Sequence, residues 1–183
     1  MTVAVKLIAS TAALVAALLP SPASGAFDGG GPYFSASISR IDPATRSRMI
    51  GSSWHAGCPV EIRNLRLLQV SHWGFDREVH RGRLVVHKDQ AVRLRRVMRR
   101  LFDARFPIRR MRLIDAYGAK DRRSMAANNT SAFNCRPVAG TNRWSQHAYG
   151  RAIDVNPVQN PYVSGGYVSP PAGRAYTDRS LRR

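Results

Sequence analysis

Ser145-Gln146-His147-Ala148-Tyr149-Gly150-Arg151-Ala152-Ile153-Asp154 has the form S-x-H-x-x-G-x-A-x-D. A histidine and an aspartate in this spacing are candidate zinc ligands, because imidazole nitrogen and carboxylate oxygen both bond zinc at about 2.0–2.2 Å. On a continuous helix the two side chains would stand roughly 10 Å apart along the axis. They can reach one ion only if the backbone folds back, and Gly150 permits such a turn because it has no Cβ. Arg151-Ala152-Ile153-Asp154-Val155 then alternates like a strand, with Ala152 and Asp154 on one face and Ile153 on the other. The expected picture is His147 on a turn and Asp154 on the strand that follows.

Several other stretches accompany this string. They are Gly74-Phe75-Asp76, Gly82-Arg83-Leu84-Val85-Val86-His87, Phe106-Pro107-Ile108, the run Ser124-Met125-Ala126-Ala127-Asn128-Asn129-Thr130-Ser131-Ala132-Phe133-Asn134-Cys135-Arg136, and Asn156-Pro157-Val158-Gln159-Asn160-Pro161-Tyr162. Together they resemble the zinc peptidases that cut D-alanyl-D-alanine or L-alanyl-D-glutamate bonds in bacterial peptidoglycan. That family includes the vancomycin-resistance D,D-carboxypeptidases, the D-Ala-D-Ala dipeptidases and several phage endolysins. The resemblance covers residues 57–163 and is to the extracytoplasmic carboxypeptidase branch. It implies a small α+β domain, with a mostly antiparallel sheet and helices on one side, as in the hedgehog signalling domain.

The same resemblance implies zinc as cofactor, with His147 and Asp154 as metal ligands. Ser145 would orient the site or hydrogen-bond substrate. An upstream arginine would pin the substrate carboxylate in a bidentate fork and stabilise the developing oxyanion. The family's Tyr-Arg pair is replaced here by Tyr117-Gly118, so Arg136 is the first choice for that role and Arg123 the second. The family's third zinc ligand is a C-terminal histidine, with the catalytic glutamate a few residues before it. Past Asp154 this sequence has neither; its glutamates are Glu61 and Glu78, and its other histidines are His55, His72, His80 and His87. Three explanations stand side by side: a domain lacking its C-terminal part, a pseudo-enzyme that binds wall peptides without cutting, or substitution by His80 or His87 with Glu78.

Residues 1–26 read as a secretory signal peptide. Lys6 precedes the uncharged apolar run Leu7–Leu19, and Pro20, Pro22 and small residues follow it. The run is too short for the ~20 residues that span a bilayer. Stable membrane insertion is therefore not expected after cleavage, and the destination is secreted, at the cell wall. Cys58 and Cys135 are the two cysteines; an oxidising compartment favours joining them as a disulfide.

The formal charge is +18, from 29 Lys and Arg against 11 Asp and Glu. Such a field concentrates a protein near polyanions. For a secreted protein the expected polyanion is the anionic cell wall, with its peptidoglycan stem-peptide carboxylates and wall phosphates, rather than nucleic acid, and no aromatic residues interleave with the arginine pairs as a stacking platform requires; a solvated basic face of an arginine-rich proteome is the equal alternative. A monomer is expected. The competing function is a basic, non-catalytic wall-binding module.

The expected organisation is a leader and short helix over 27–56 and a peptidase-like domain over 57–183, incomplete at its C-terminus. Residues 27–37 look like loose leader. Asp42-Pro43 opens a short helix closed by Gly51. Strands are expected at Leu65–Val70, Arg83–His87 and Met111–Ala116. A helix is expected over Lys88–Arg105, with Leu94, Val97, Met98, Leu101 and Phe102 as its apolar stripe. Residues 117–143 read as a long structured loop leading into the metal string.

Overall fold

The computed structural model describes residues 32–180. The signal-peptide reading of residues 1–26 falls outside them. The fold is built on a hairpin of β2 (Leu65–Trp73) and β3 (Val79–His87), with β1 (Ala36–Arg40) pairing antiparallel along the other edge of β2. The hairpin register runs from Leu65 opposite His87 to Trp73 opposite Val79. A separate two-stranded ribbon, β4 (Tyr162–Ser164) and β5 (Tyr167–Ser169), follows near the C-terminal end of the described residues. The three helices are α1 (Pro43–Met49), α2 (Lys88–Asp103) and α3 (Asp121–Ala126). Helices beside a small antiparallel sheet make this an α+β domain.

Both faces of the hairpin are apolar, so both must be covered. On one face Leu68, Val70, Leu84 and Val86 pack with Ala91 and Met98 of α2, and with Ile108, Met111 and Ala132. On the other, Leu65, Leu67 and Val85 meet Met49 of α1, Val60, Phe133 and Cys135. Residues adjacent in sequence, Leu67 and Leu68, therefore serve opposite cores, as the strand's two-residue period requires. A Leu→Ala change at either position would cost about 2–5 kcal/mol.

The helix α2 starts where expected and stops two residues early. His87 caps its first turn, accepting from the Asp89 amide, and Arg105 beyond its end takes the left-handed conformation with φ 51°. Its buried residues are Ala91, Met98 and Phe102, while Leu94 and Leu101 are partly buried against the same cluster. Val97, expected in the stripe, is 48% exposed. On the helix it stands roughly 120° from the direction shared by Ala91, Met98 and Phe102, which the sheet covers.

α1 follows its sequence signals. Asp42 caps it, with Oδ1 accepting from the Thr45 amide at 2.8 Å and Oδ2 from the Thr45 hydroxyl at 2.7 Å. Those hydrogen bonds, with the Arg83 charge, hold the Asp42 carboxyl below the usual carboxylate range. The leader reading of residues 27–37 needs correction at its end: Ala36 and Ser37 already belong to β1, opposite Val70 and Gln69.

Two expected strands are not strands. Across Met111–Ala116 there is one bridge, Met111 to Thr130, followed by a 3₁₀ turn over Ile114–Tyr117. The reason is local. The Asn129 amide takes both backbone groups of Arg112, accepting from its N–H at 2.9 Å and donating to its carbonyl at 3.0 Å, so a side chain replaces the partner strand. The Arg151–Val155 stretch likewise forms a single antiparallel bridge, between Asp154 and Ser131. Asn156 then turns away at φ 44°, its amide holding the Pro107 carbonyl and the Arg109 N–H. The long loop over 117–143 also contains α3.

At the hairpin turn His72 is 5% exposed; it stacks on His80 with ring centroids 5.8 Å apart, and Asp76 holds His80. Burial pushes the His72 imidazole down; the His80 charge adds to this, while the Trp73 carbonyl and Asp76 oppose it. The unfolded chain therefore binds more protons below the ordinary histidine value near 6.5. Stability from this group is present above that pH and is lost as pH falls below it. Denaturant unfolding of wild type and His72→Gln from pH 7.5 to 5 should show the wild type losing more stability on acidification; parallel curves would refute the assignment.

Candidate metal centre

The turn that carries His147 is fixed before the ligands are considered. Residues Gln146–Tyr149 form a 3₁₀ turn capped by Ser145, whose hydroxyl oxygen accepts from the His147 amide at 3.2 Å. Gly150 ends it at φ 64°. A Cβ at Gly150 would lie 2.6 Å from the His87 nitrogen and 3.3 Å from a Leu65 methyl. The Gly150 carbonyl accepts from the His87 amide at 2.9 Å. The missing side chain thus lets the return turn press directly onto the end of β3.

From there the chain runs back to Asp154, which is held against Ser131 by two backbone hydrogen bonds, 2.9 and 3.1 Å. The result brings the two expected ligands together. His147 Nε2 lies 3.4 Å from Asp154 Oδ2, with His147 nearly buried and Asp154 about half exposed. The other ring nitrogen, Nδ1, is 2.6 Å from the Ala132 carbonyl. A carbonyl can only accept, so Nδ1 carries a proton, and Nε2, facing Asp154, donates to the carboxylate when the ring is protonated and has its lone pair free for a metal when it is neutral.

This donor set fits zinc. Two ligands bonded at about 2.0–2.2 Å with a tetrahedral angle between them stand roughly 3.3–3.5 Å apart, and the observed gap lies in that range. A carbonyl that accepts from the far ring nitrogen is also how metal-binding histidines are oriented. Without a metal, burial pushes the His147 imidazole down, but the Asp154 hydrogen bond and charge, with the Ala132 carbonyl, outweigh it and the net direction is up; the Arg136 charge opposes them.

That influence places Arg136 in the electrostatic neighbourhood of the site. Its guanidinium pairs with Asp121 through Nε and donates to the Pro137 carbonyl at 3.1 Å. Asp121 also accepts from the Asn134 amide at 2.8 Å, and the Asn134 backbone N–H donates to the His147 carbonyl. A short network therefore runs from the histidine turn through Asn134 and Asp121 to Arg136. The sequence reading missed Ala132, Asn134 and Asp121. Ala132 acts only through its carbonyl, which leaves no trace in residue type. Arg123, the second choice for substrate contact, is exposed on α3.

The upstream replacements are not brought to the pair. Among the described residues, no third His, Cys, Asp or Glu donor lies within 4.8 Å of both ligand atoms, and the one cluster of three that meets this spacing is His55, Cys58 and Cys135. Its sulfurs are bonded to each other, with Cα atoms 5.9 Å apart, so that cluster is a disulfide and not a thiolate site. A link closing 77 residues of sequence stabilises by roughly 4 kcal/mol in the chain-entropy model. His80 is held by Asp76 at 2.9 Å, His87 by Asp89 at 2.6 Å, and Glu78 is exposed.

Residues 139–182 match the family model described as D-alanyl-D-alanine carboxypeptidase. The matched segment contains the capped turn, both metal-site residues and the β4–β5 ribbon. No curated protein and no solved structure matches the chain.

Gly150→Ala should destabilise the fold by about 2 kcal/mol or more, since the new Cβ meets backbone and the conformation is left-handed. Denaturant unfolding checks this. A loss under about 0.5 kcal/mol, the range of ordinary surface changes, would show that the turn is not clamped to β3.

Proposed function

We propose that this chain is a zinc peptidase-type domain acting on peptidoglycan stem peptides, either releasing a terminal D-alanine or cutting an L-Ala-D-Glu bond, in an extracytoplasmic setting at the cell wall. The observation that carries the reading is the pair of opposed donors: His147 Nε2 faces Asp154 Oδ2 at 3.4 Å while Nδ1 is tied to the Ala132 carbonyl. The family-model match over the same segment supports it. So does the Cys58–Cys135 disulfide, which suits an oxidising compartment. No helix among the described residues is long and apolar enough to cross a membrane.

His147 and Asp154 would hold the ion. Zinc, when bound, supplies Lewis acidity toward a scissile carbonyl and makes water a nucleophile at neutral pH. The protein's own contribution is positional. Ser145 fixes the histidine turn through the His147 amide, and Ala132 fixes the imidazole tautomer, so the ring needs no reorientation when the ion arrives. Arg136 supplies the positive charge beside the pair and would take a substrate carboxylate in a bidentate fork. In the described structure that fork is shared with Asp121, so a stem-peptide carboxylate would compete with Asp121 for the same guanidinium.

Two protein donors are fewer than the three or four of ordinary zinc sites. The 183-residue chain is therefore expected to bind zinc weakly and to show little hydrolysis. Calorimetric titration should give weak binding in the wild type that His147→Ala or Asp154→Asn removes. Tight one-to-one binding that survives both changes would place the metal elsewhere. Incubation with muropeptides and zinc, followed by mass spectrometry, should show slow loss of D-alanine or cleavage after L-alanine. Products that persist in His147→Ala would defeat the role given to that residue.

A further inference from the structure

A cavity of about 590 Å³ is lined by Arg40, Arg46, Arg63, Arg66 and Lys88 with Asn64 among them. The cations come from separate elements: the end of β1, α1, the turn before β2, the start of β2 and the start of α2. Their convergence is a product of the fold and not of a run in the sequence. Arg40 and Arg66 are directly opposed in the β1–β2 register, and like charges facing each other across a ladder destabilise a sheet.

One of the five cations is neutralised locally, Arg63 by Glu61, and the other nearby acids are engaged elsewhere. Asp42 caps α1 and lies 3.6 Å from Arg83, and Asp89 pairs with Arg151 and His87. Neutral acceptors position two of the cations instead. Arg66 donates to the Arg63 and Leu65 carbonyls at 2.9 and 2.8 Å, and Lys88 donates to Asn64 at 2.9 Å. Those contacts fix the geometry of the charge without cancelling it.

We propose that this cavity is a binding site for a ligand bearing two or more phosphate groups. Several guanidinium forks around one space match phosphate oxygens bidentately, and a compact ammonium adds a point charge. The apolar part of the lining is Ile41, Ile62 and Leu65, with no aromatic ring, so nothing there stacks a nucleobase. The ligand is a non-aromatic polyanion with closely spaced phosphates. Leu65 lines the cavity and also touches the space behind Gly150, so the bound anion would sit directly behind the metal-site turn. The site stands whether or not the peptidase reading holds.

Inorganic tripolyphosphate is the probe, titrated calorimetrically at 0.15 M salt into wild type, into Arg40→Gln/Arg46→Gln/Lys88→Gln, and into Arg95→Gln/Arg96→Gln/Arg99→Gln. The last removes the same charge from the exposed face of α2. Wild type should bind one-to-one, the cavity variant about tenfold or more weaker, and the α2 variant within about twofold, with only its long-range attraction reduced. Arg66 is left intact because its backbone contacts support the fold, and near-UV circular dichroism verifies each variant. If the glutamine variant unfolds, Arg40→Lys/Arg46→Lys replaces it and should still weaken binding by about threefold through loss of the forks. Equal weakening by the cavity and α2 variants, or no saturable binding by wild type, overturns the proposal. Displacement of tripolyphosphate by poly(glycerol phosphate) would identify a wall polymer as the source, displacement by phosphatidylglycerol vesicles a lipid surface, and displacement by neither a small soluble polyphosphate.

Discussion

The contact between Gly150 and the end of β3 governs how this domain is assembled. An ordinary residue at that position would drive its Cβ into the His87 nitrogen. With only hydrogen there, the loop carrying His147 closes onto the sheet backbone, and the Gly150 carbonyl takes the amide at the β3–α2 junction. One small residue thereby registers three things together: the end of the hairpin, the start of the long helix, and the turn that aims the histidine. Positional accuracy at a metal site comes from support of this kind, since ligands on unsupported loops wander by more than a coordination bond tolerates.

Much of this was legible in the sequence where a single local rule applied. Asp42-Pro43 announced α1, alternating apolar residues announced β2 and β3, and the spacing across Gly150 announced that His147 and Asp154 could meet. The failures share a cause. Met111–Ala116 and Arg151–Val155 have strand-like composition, yet in the first the Asn129 side chain takes the backbone groups of Arg112, and the second makes one bridge to Ser131 before Asn156 turns the chain away. Periodicity reports which residues seek burial and says nothing about whether a ladder or an amide will satisfy the backbone between them. Val97 was misplaced for a related reason. Several residues of α2 are apolar enough to face the sheet, and the choice among them is made by the sheet's surface.

The site shows the same division. The chemistry of a side chain is written in residue type, so the approach of His147 to Asp154 could be expected in advance. The group that sets the imidazole tautomer is a peptide carbonyl, present at every position of every chain, and only the fold selects Ala132. The charge distribution is likewise unreadable from pairs of adjacent arginines. The cavity that joins Arg40, Arg46, Arg66 and Lys88 gathers residues distant in sequence, which become neighbours only when β1 and α2 pack at the same end of β2.

The crossing of Gly82 and Met111 imposes a different kind of restriction. A Cβ at Gly82 would lie 2.3 Å from the Met111 sulfur, so the thioether occupies the volume that a side chain on β3 would otherwise fill. The two positions share one space, and neither can be understood as a separate entry in the core. Enlarging residue 82 requires shrinking residue 111, and shortening residue 111 alone opens a void beside the strand. A larger residue at 82 therefore fits only together with a smaller one at 111, so the two sites share one allotment of volume.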